Sequence, residues 1–397
     1  RAITAPIGTL ITGTSTQTAV TVRNQGTVTI TSMDINWSIN GVAQPKYVWT
    51  GSLSNLGIAN ITIGSFIPAT GTNIIKIWTD SLNGQLDERP SNDTILASFT
   101  ACDSLLTGTY TLGNGGTFAN MNALTAAISG CGIGGPVIIQ MLPGKYSEMI
   151  FNGVIPGTDS INTITFTSFH SNADSVIIES TTGTEPTVYL AGGAANLIFD
   201  KLTINGCMNT GASISAGVGL YGCDNIIVRN CKINAQVDDT KYGEYSGIYS
   251  PYSGGQFGKV VIDNNLIRGT QYGTYLEPSR ISGPIYLRNN TIISRYVGIS
   301  SYGMTIHPEI SYNTITFDTT SIRDYFYMFE AYGTYGSDPD TIWMVGNKFK
   351  VNANNSASTF YSYCYFSDFY PADALIMANN EFYVPYKSNL GYAYLEF

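Results

Sequence analysis

Charge is scarce in this sequence: 19 Lys and Arg and 28 Asp and Glu make up 12% of 397 residues, about half the usual share in a soluble protein. The net charge of −9, with no run of Lys or Arg, excludes the basic footprint that nucleic-acid binding requires. Long apolar runs are missing too, so no segment reaches the roughly 18 residues of a membrane-spanning helix. Histidine occurs only at His170 and His307, which gives little basis for a His-based metal centre or a Ser-His-Asp triad. The six cysteines contain no C-x-x-C pair, which argues against zinc ribbons and thioredoxin-type chemistry. Cys102 and Cys131 flank one segment, and Cys207, Cys223 and Cys231 fall close together. Two readings stay open: disulfides among Cys102, Cys131, Cys207 and Cys223, or buried free thiols in a β core. Arg1 opens the chain without a charged, apolar, small-residue leader, the sign of a processed form or a fragment.

In place of charge stand 42 Gly and an excess of Asn, Thr, Ser and Tyr, the makeup of an all-β protein. Over residues 1–100, Ala19-Val20-Thr21-Val22, Ile35-Asn36-Trp37-Ser38-Ile39, Ile61-Thr62-Ile63 and Ile74-Ile75-Lys76-Ile77-Trp78 read as short strands. Between them lie Asn24-Gln25-Gly26, Asn40-Gly41 and Asn83-Gly84, residue types that tolerate the positive φ of tight turns. This spacing predicts an N-terminal Ig-like β-sandwich. Val20-Thr21-Val22-Arg23-Asn24-Gln25-Gly26, Trp49-Thr50-Gly51-Ser52-Leu53 and the stretch from Asn83-Gly84 to Asp93-Thr94 resemble CARDB-type and related Ig-like modules of bacterial surface proteins. The resemblance implies a spacer or adhesive unit and assigns no site.

Residues 101–397 read differently, beginning with a cap at about 101–135. Phe118, Met121, Leu124 and Ile128 recur at helical spacing, with Thr117 as the expected N-cap and Gly130 just past the end. The short helix leads into Val137-Ile138-Ile139 and Pro143-Gly144-Lys145-Tyr146. This order resembles the opening of pectin-lyase-like right-handed parallel β-helices, in which the helix covers the terminal turn of the coil. Such cover is needed because a bare end rung presents unpaired backbone groups.

Internal repetition is the strongest signal. Blocks at 197–204, 226–233, 260–267, 285–292, 308–315, 342–349 and 375–382 align, at intervals of 29, 34, 25, 23, 34 and 33 residues. Weaker apolar runs before them predict about ten rungs in all. Five positions before each block end stands an apolar residue, from Phe199 to Met377, the mark of an inward stack. Two before the end stands Asn in five successive copies, Asn265, Asn290, Asn313, Asn347 and Asn380. This is read as a structural ladder, in which Asn takes the left-handed bend and its amide bonds along the stack.

Four before the end, Asp200, Arg229, Asp263 and Arg288 follow one another in a column expected to point outward. Pectin-lyase-like enzymes collect acidic residues, often with calcium, beside a basic residue, so these four are the candidates for glycan cleavage. The competing reading is a ladder of surface ion pairs. A loop carrying Asp238 and Asp239 with Lys241 and Glu244, and another with Asp318, Arg323, Asp324 and Glu330, are further acid/base candidates. No cofactor is expected, because calcium needs several unpaired oxygens and no carboxylate cluster recurs at rung spacing. Of 27 tyrosines, 22 follow residue 240, where exposed rings would offer sugar platforms and packed rings would fill wide rungs.

Asp followed by Ser or Thr recurs in the sequence, giving candidate acceptors at Ser81, Thr94, Ser104, Ser160, Ser175, Thr319 and Thr341. The motif resembles the O-glycosylation signal of exported Bacteroidetes proteins. An Ig-like module before a capped β-helix likewise resembles adhesins and type IX secretion cargo of that group. The resemblance implies a non-catalytic extracellular or cell-surface protein, a scaffold or adhesin segment whose partners are glycans or other surface proteins. A polysaccharide lyase or glycoside hydrolase, and a carbohydrate-binding module, are the alternatives.

Overall fold

In the computed structural model the chain folds as two units, Arg1–Leu106 with Ala126–Gly134 and Thr107–Thr125 with Gly135–Phe397. The structure describes residues 2–85, 90–209, 211–236, 244–251, 255–277, 280–281, 283–302, 308–317, 325–332, 341–351, 360–367, 374–383 and 391–396. The first unit runs past the expected boundary at residue 100, because the strand Thr94–Cys102 crosses it.

Alternating apolar residues build the first unit as two antiparallel layers. One has Ala2–Ala5, Thr16–Arg23 and Ile58–Phe66; the other has Thr94–Cys102, Gly71–Asp80 and Ile30–Ile39 at its centre, with Tyr47–Leu53 beside them. Val20, Met33, Ile35, Trp37, Ile61 and Ile75 fill the core. Trp37 donates its indole N–H to the Pro45 carbonyl at 2.9 Å, so the largest core side chain leaves no orphaned donor. The Asn40-Gly41 and Asn83-Gly84 turns use left-handed backbone at both residues, the conformation tight hairpins favour. The Asn24-Gln25-Gly26 turn does not. There Asn24 is buried and donates to the Val28 and Leu53 carbonyls, so it staples the turn through its side chain. Cys102 and Cys131 form a disulfide, whereas Cys207 and Cys223 are buried free thiols.

Among the described residues the α-helix spans Met121–Cys131. Its N-cap is Asn120, whose Oδ1 accepts from the Ala123 N–H, while Thr117 is occupied with Thr111. Gly130 lies inside the helix, and Gly132 closes it, with φ +75° and its N–H on the Ile128 carbonyl, as a left-handed C-terminal glycine does.

The second unit is a parallel β-helix whose turns each lay a strand on three faces, as in Ala195–Asp200, Thr203–Asn205 and Val218–Tyr221. First-face strands form a ten-stranded sheet in chain order, and the other two faces share a sixteen-stranded sheet. Register is strict: Leu197, Ile226, Val260 and Ile285 lie side by side, all fully buried. From Ala195 onward only two residues join the first face to the second. The former of them is left-handed in each of these seven turns, at Lys201, Asn230, Asn264, Asn289, Tyr312, Gly346 and Asn379.

The ladder Asn is therefore the residue after the left-handed one, and its work is done by the side chain. The Asn290 amide donates to the Ile262 carbonyl at 2.9 Å and to Asn313 Oδ1 at 3.0 Å. Its Oδ1 accepts from the backbone N–H and the Nδ2 of Asn265, both at 3.0 Å. Asn313 and Asn347 repeat this pattern, Asn265 begins it with its Oδ1 accepting from the Cys231 N–H, and Asn380 ends it. Two donors and two acceptor sites are the full capacity of a carboxamide, which is why Asn290 tolerates 1% exposure.

Candidate functional site

The outward side of the first face carries two neighbouring columns. Asp200, Arg229, Asp263 and Arg288 align in register as one of them. They do not form an alternating ion-pair ladder. Asp200 is 8% exposed rather than outward in solvent, lies 3.5 Å from Arg229 Nε, and accepts from Asn230 Nδ2 at 2.7 Å. Asp263 accepts instead from Asn289 Nδ2 at 2.8 Å. Arg288 turns to Glu309 at 3.9 Å and stacks over the Tyr286 ring at 4.7 Å. Side chains of the left-handed column, Asn230 and Asn289, reach these carboxylates at shorter distance than the cations do, and on Asp200 the amide stands beside the Arg229 ion pair.

The second column holds Ile198, Ile227 and Val261, then Tyr286, Glu309, Trp343 and Ile376. Its aromatic stretch forms one wall of a depression of about 330 Å³, lined by Tyr286, Glu309, Ser311, Tyr312, Trp343 and Val345. One Glu309 oxygen accepts from the Ser311 hydroxyl at 2.7 Å, and the other faces Arg288. Trp343 is 43% exposed and Tyr312 62%. Tyr312 occupies the left-handed position at φ +57°, where an aromatic residue is held at a penalty of about 1–2 kcal/mol. On the next rung Gly346 makes room for it: a Cβ there would lie 2.6 Å from two Tyr312 ring carbons. The arrangement offers flat apolar surface beside one carboxylate, one guanidinium and the hydroxyls of Ser311 and the two tyrosines.

Sequence reading missed this group because it weighed the column four before each block end. The signal lay at the positions six and three before, where aliphatics give way to Tyr286, Glu309 and Trp343, and Asn gives way to Tyr312. Asp238 and Asp239, with Lys241, and Asp318, Arg323 and Asp324 lie outside the described residues, as do His307 and Thr319. Glu330 is buried, on the third face, and its Oε2 accepts from the Ser300 hydroxyl at 3.1 Å. Among the glycosylation candidates, Thr94, Ser104 and Ser160 are exposed. Ser81, Ser175 and Thr341 are half-buried, and the Ser175 hydroxyl already donates to the Asn172 carbonyl. Asp159 accepts from the Asn162 and Ile161 N–H groups, both at 2.7 Å. These bonds hold its carboxyl below the ordinary value and give the residue a turn-making role.

Burial pushes the thiols of Cys223, Cys231 and Cys364 up to about 12, so they are unreactive near neutrality. Among the described residues no cluster of His, Cys, Asp and Glu is arranged to hold a metal, and no helix is long and apolar enough to cross a membrane.

No family model matches the chain, and neither does any curated protein. Among solved structures, the CARDB domain of a Pyrococcus furiosus protein, in complex with di-metal ions, shares 20% identity at a TM-score of 0.21, covering 24% of this chain and 79% of that one. A pectin methylesterase from Aspergillus niger shares 15% identity at a TM-score of 0.36, over 73% of this chain and 91% of that one. The catalytic domain of a GH87 α-1,3-glucanase, in complex with tetrasaccharides, shares 11% at 0.32, over 97% and 68%. These are likenesses of fold.

Proposed function

We propose that the chain is an extracellular, non-catalytic surface protein, a scaffold or adhesin segment, that binds a glycan in the depression between Tyr286 and Trp343. One observation carries this reading: Tyr312 is kept in a strained left-handed conformation, 62% exposed, at a position where its neighbours in the column use Asn, Gly or Lys. Strain retained at an exposed site is accounted for by recognition rather than by folding. A pyranose has an apolar C–H face that stacks on an aromatic ring, and hydroxyls that pair with Glu309 and Arg288 at its edge. Export to the cell surface, O-glycosylation at exposed acceptors such as Ser104 and Ser160, and kinship with Bacteroidetes adhesins or type IX cargo belong to the same proposal.

The test is a glycan array followed by calorimetric titration of any hit. Binding that falls about tenfold or more in Trp343→Ala and Tyr312→Asn is expected, the weight of one or two lost stacking contacts. Array silence, or binding indifferent to both substitutions, overturns the site. Depolymerisation of a polysaccharide that disappears in Asp263→Ala would establish an enzyme in place of a binding protein.

A further inference from the structure

The third face carries a feature that glycan binding does not use. Tyr189 meets Tyr221 at 4.8 Å between ring centroids, Tyr221 meets Tyr249 at 6.0 Å, and Tyr249 meets Tyr275 at 5.9 Å. Tyr272, on the same strand as Tyr275, joins it at 5.3 Å and reaches Tyr296 at 5.6 Å. From Tyr296 the contacts continue to Tyr327 at 5.7 Å and on to Tyr365 at 6.3 Å. The chain of rings is unbroken over seven neighbouring strands, roughly 29 Å at the usual strand spacing.

One small residue sits within it. In register, Tyr189 is followed by Gly219 and then by Tyr249. A Cβ on Gly219 would collide with the Pro186 ring and sit 3.0 Å from the Tyr221 ring, so the glycine makes room for both Pro186 and Tyr221 in the gap. Most of the contacts are edge-to-face, between 73° and 89°, so the rings do not form the flat platform that a sugar stacks on. The Tyr275 hydroxyl donates to Glu277 Oε2 at 2.6 Å. Burial pushes the Tyr221 and Tyr249 phenols upward, and the neighbouring tyrosine and glutamates push the same way. Phenolates are thus absent near neutrality, so a ring that gives up an electron becomes a strongly acidic radical cation, which passes the vacancy on and comes to rest only where a base takes its proton.

We propose that this tyrosine chain conducts oxidising equivalents along the coil and that Tyr275 with Glu277 is the site where they come to rest. A one-electron oxidant takes an electron from a ring of the chain and is itself reduced by one unit. Each oxidised tyrosine is restored by an electron from the next, until the vacancy reaches Tyr275. There the O–H bond breaks, the proton moves along the existing hydrogen bond to Glu277, and a neutral phenoxyl radical remains beside a carboxylic acid. No covalent bond other than O–H changes, and charge balances because the carboxylate takes up the proton as the phenol loses an electron.

The native free cysteines are buried, so a Thr184→Cys substitution, at an exposed position five residues before Tyr189, provides a selective attachment point for a ruthenium bipyridyl photo-oxidant. After flash-quench oxidation, electron paramagnetic resonance is expected to show a neutral tyrosyl radical whose spectrum is lost in Tyr275→Phe. In Tyr249→Phe, which interrupts the path and spares the end point, the Tyr275 signal is expected to be lost as well. Glu277→Gln, which leaves every ring in place, is expected to remove the solvent deuterium effect on radical formation. A signal unchanged in Tyr249→Phe, or one that stays on Tyr189 in the parent protein, overturns the proposal. Should a phenylalanine variant lose its native circular dichroism, absence of any deuterium effect in the parent protein overturns it equally.

Discussion

Asn24 in the sandwich and Asn290 in the coil are both buried, at 2% and 1% exposure, and both have their amides fully engaged, yet they do opposite things. Asn24 bonds within a turn and to one neighbouring strand, through Gly26, Val28 and Leu53. Asn73 and Asn83 act in the same local way on the backbone around Ala69 and Thr31. Each is a single staple. Asn290 instead bonds to the rung before it and the rung after it, and its neighbours in the column do the same. The same side chain is thus a local fastener in one unit and a structural repeat in the other. A lost fastener loosens a loop, whereas a lost repeat severs two rungs.

The largest expected effect is on the coil. Asn290→Ala removes four hydrogen bonds and orphans buried donors and acceptors on both adjacent rungs, which should destabilise the second unit by about 4 kcal/mol, at 1–3 kcal/mol per stranded group. Urea unfolding of the whole chain checks this. Asn24→Ala should cost about 2 kcal/mol, with faster hydrogen exchange confined to the amides near Val28 and Leu53. Equal destabilisation of both units, or exchange loosened throughout the sandwich, would break the distinction. Asn380→Ala removes the last described member of the ladder, half-buried, and should cost only about 1 kcal/mol. A loss as large as that at Asn290 would mean that position along the ladder is irrelevant. Smallest, and of opposite sign, is Tyr312→Asn: restoring the residue type of the column should gain about 1 kcal/mol, seen as a rise in the urea midpoint.

Much of this architecture was legible because repetition turns weak preferences into a pattern. A lone apolar residue says little, but Phe199, Val228, Ile262 and Leu287 in register can only be an inward stack. The left-handed bend was placed one residue late, since Asn occupies both positions at Asn264-Asn265 and Asn289-Asn290. Both roles suit asparagine, and only backbone geometry separates them. Cysteine pairing was not legible, because a bond depends on distances the sequence does not carry, and Cys102 and Cys131 are brought together while the three cysteines nearest in sequence stay apart. The depression at Trp343 was hidden for a different reason. A binding group arises where a repeat is broken, and an alignment built to find sameness passes over the exceptions.

The ladder also has a direction. Every link runs from the backbone N–H and side-chain amide of one asparagine to the oxygen of the next one along the chain, from Asn265 through to Asn380. A finished rung therefore offers two donors at its leading edge, and an arriving rung has to bring a single carbonyl oxygen to satisfy both. The two ends of the ladder are therefore chemically unlike: one edge of any rung asks for an acceptor, and the opposite edge asks for donors.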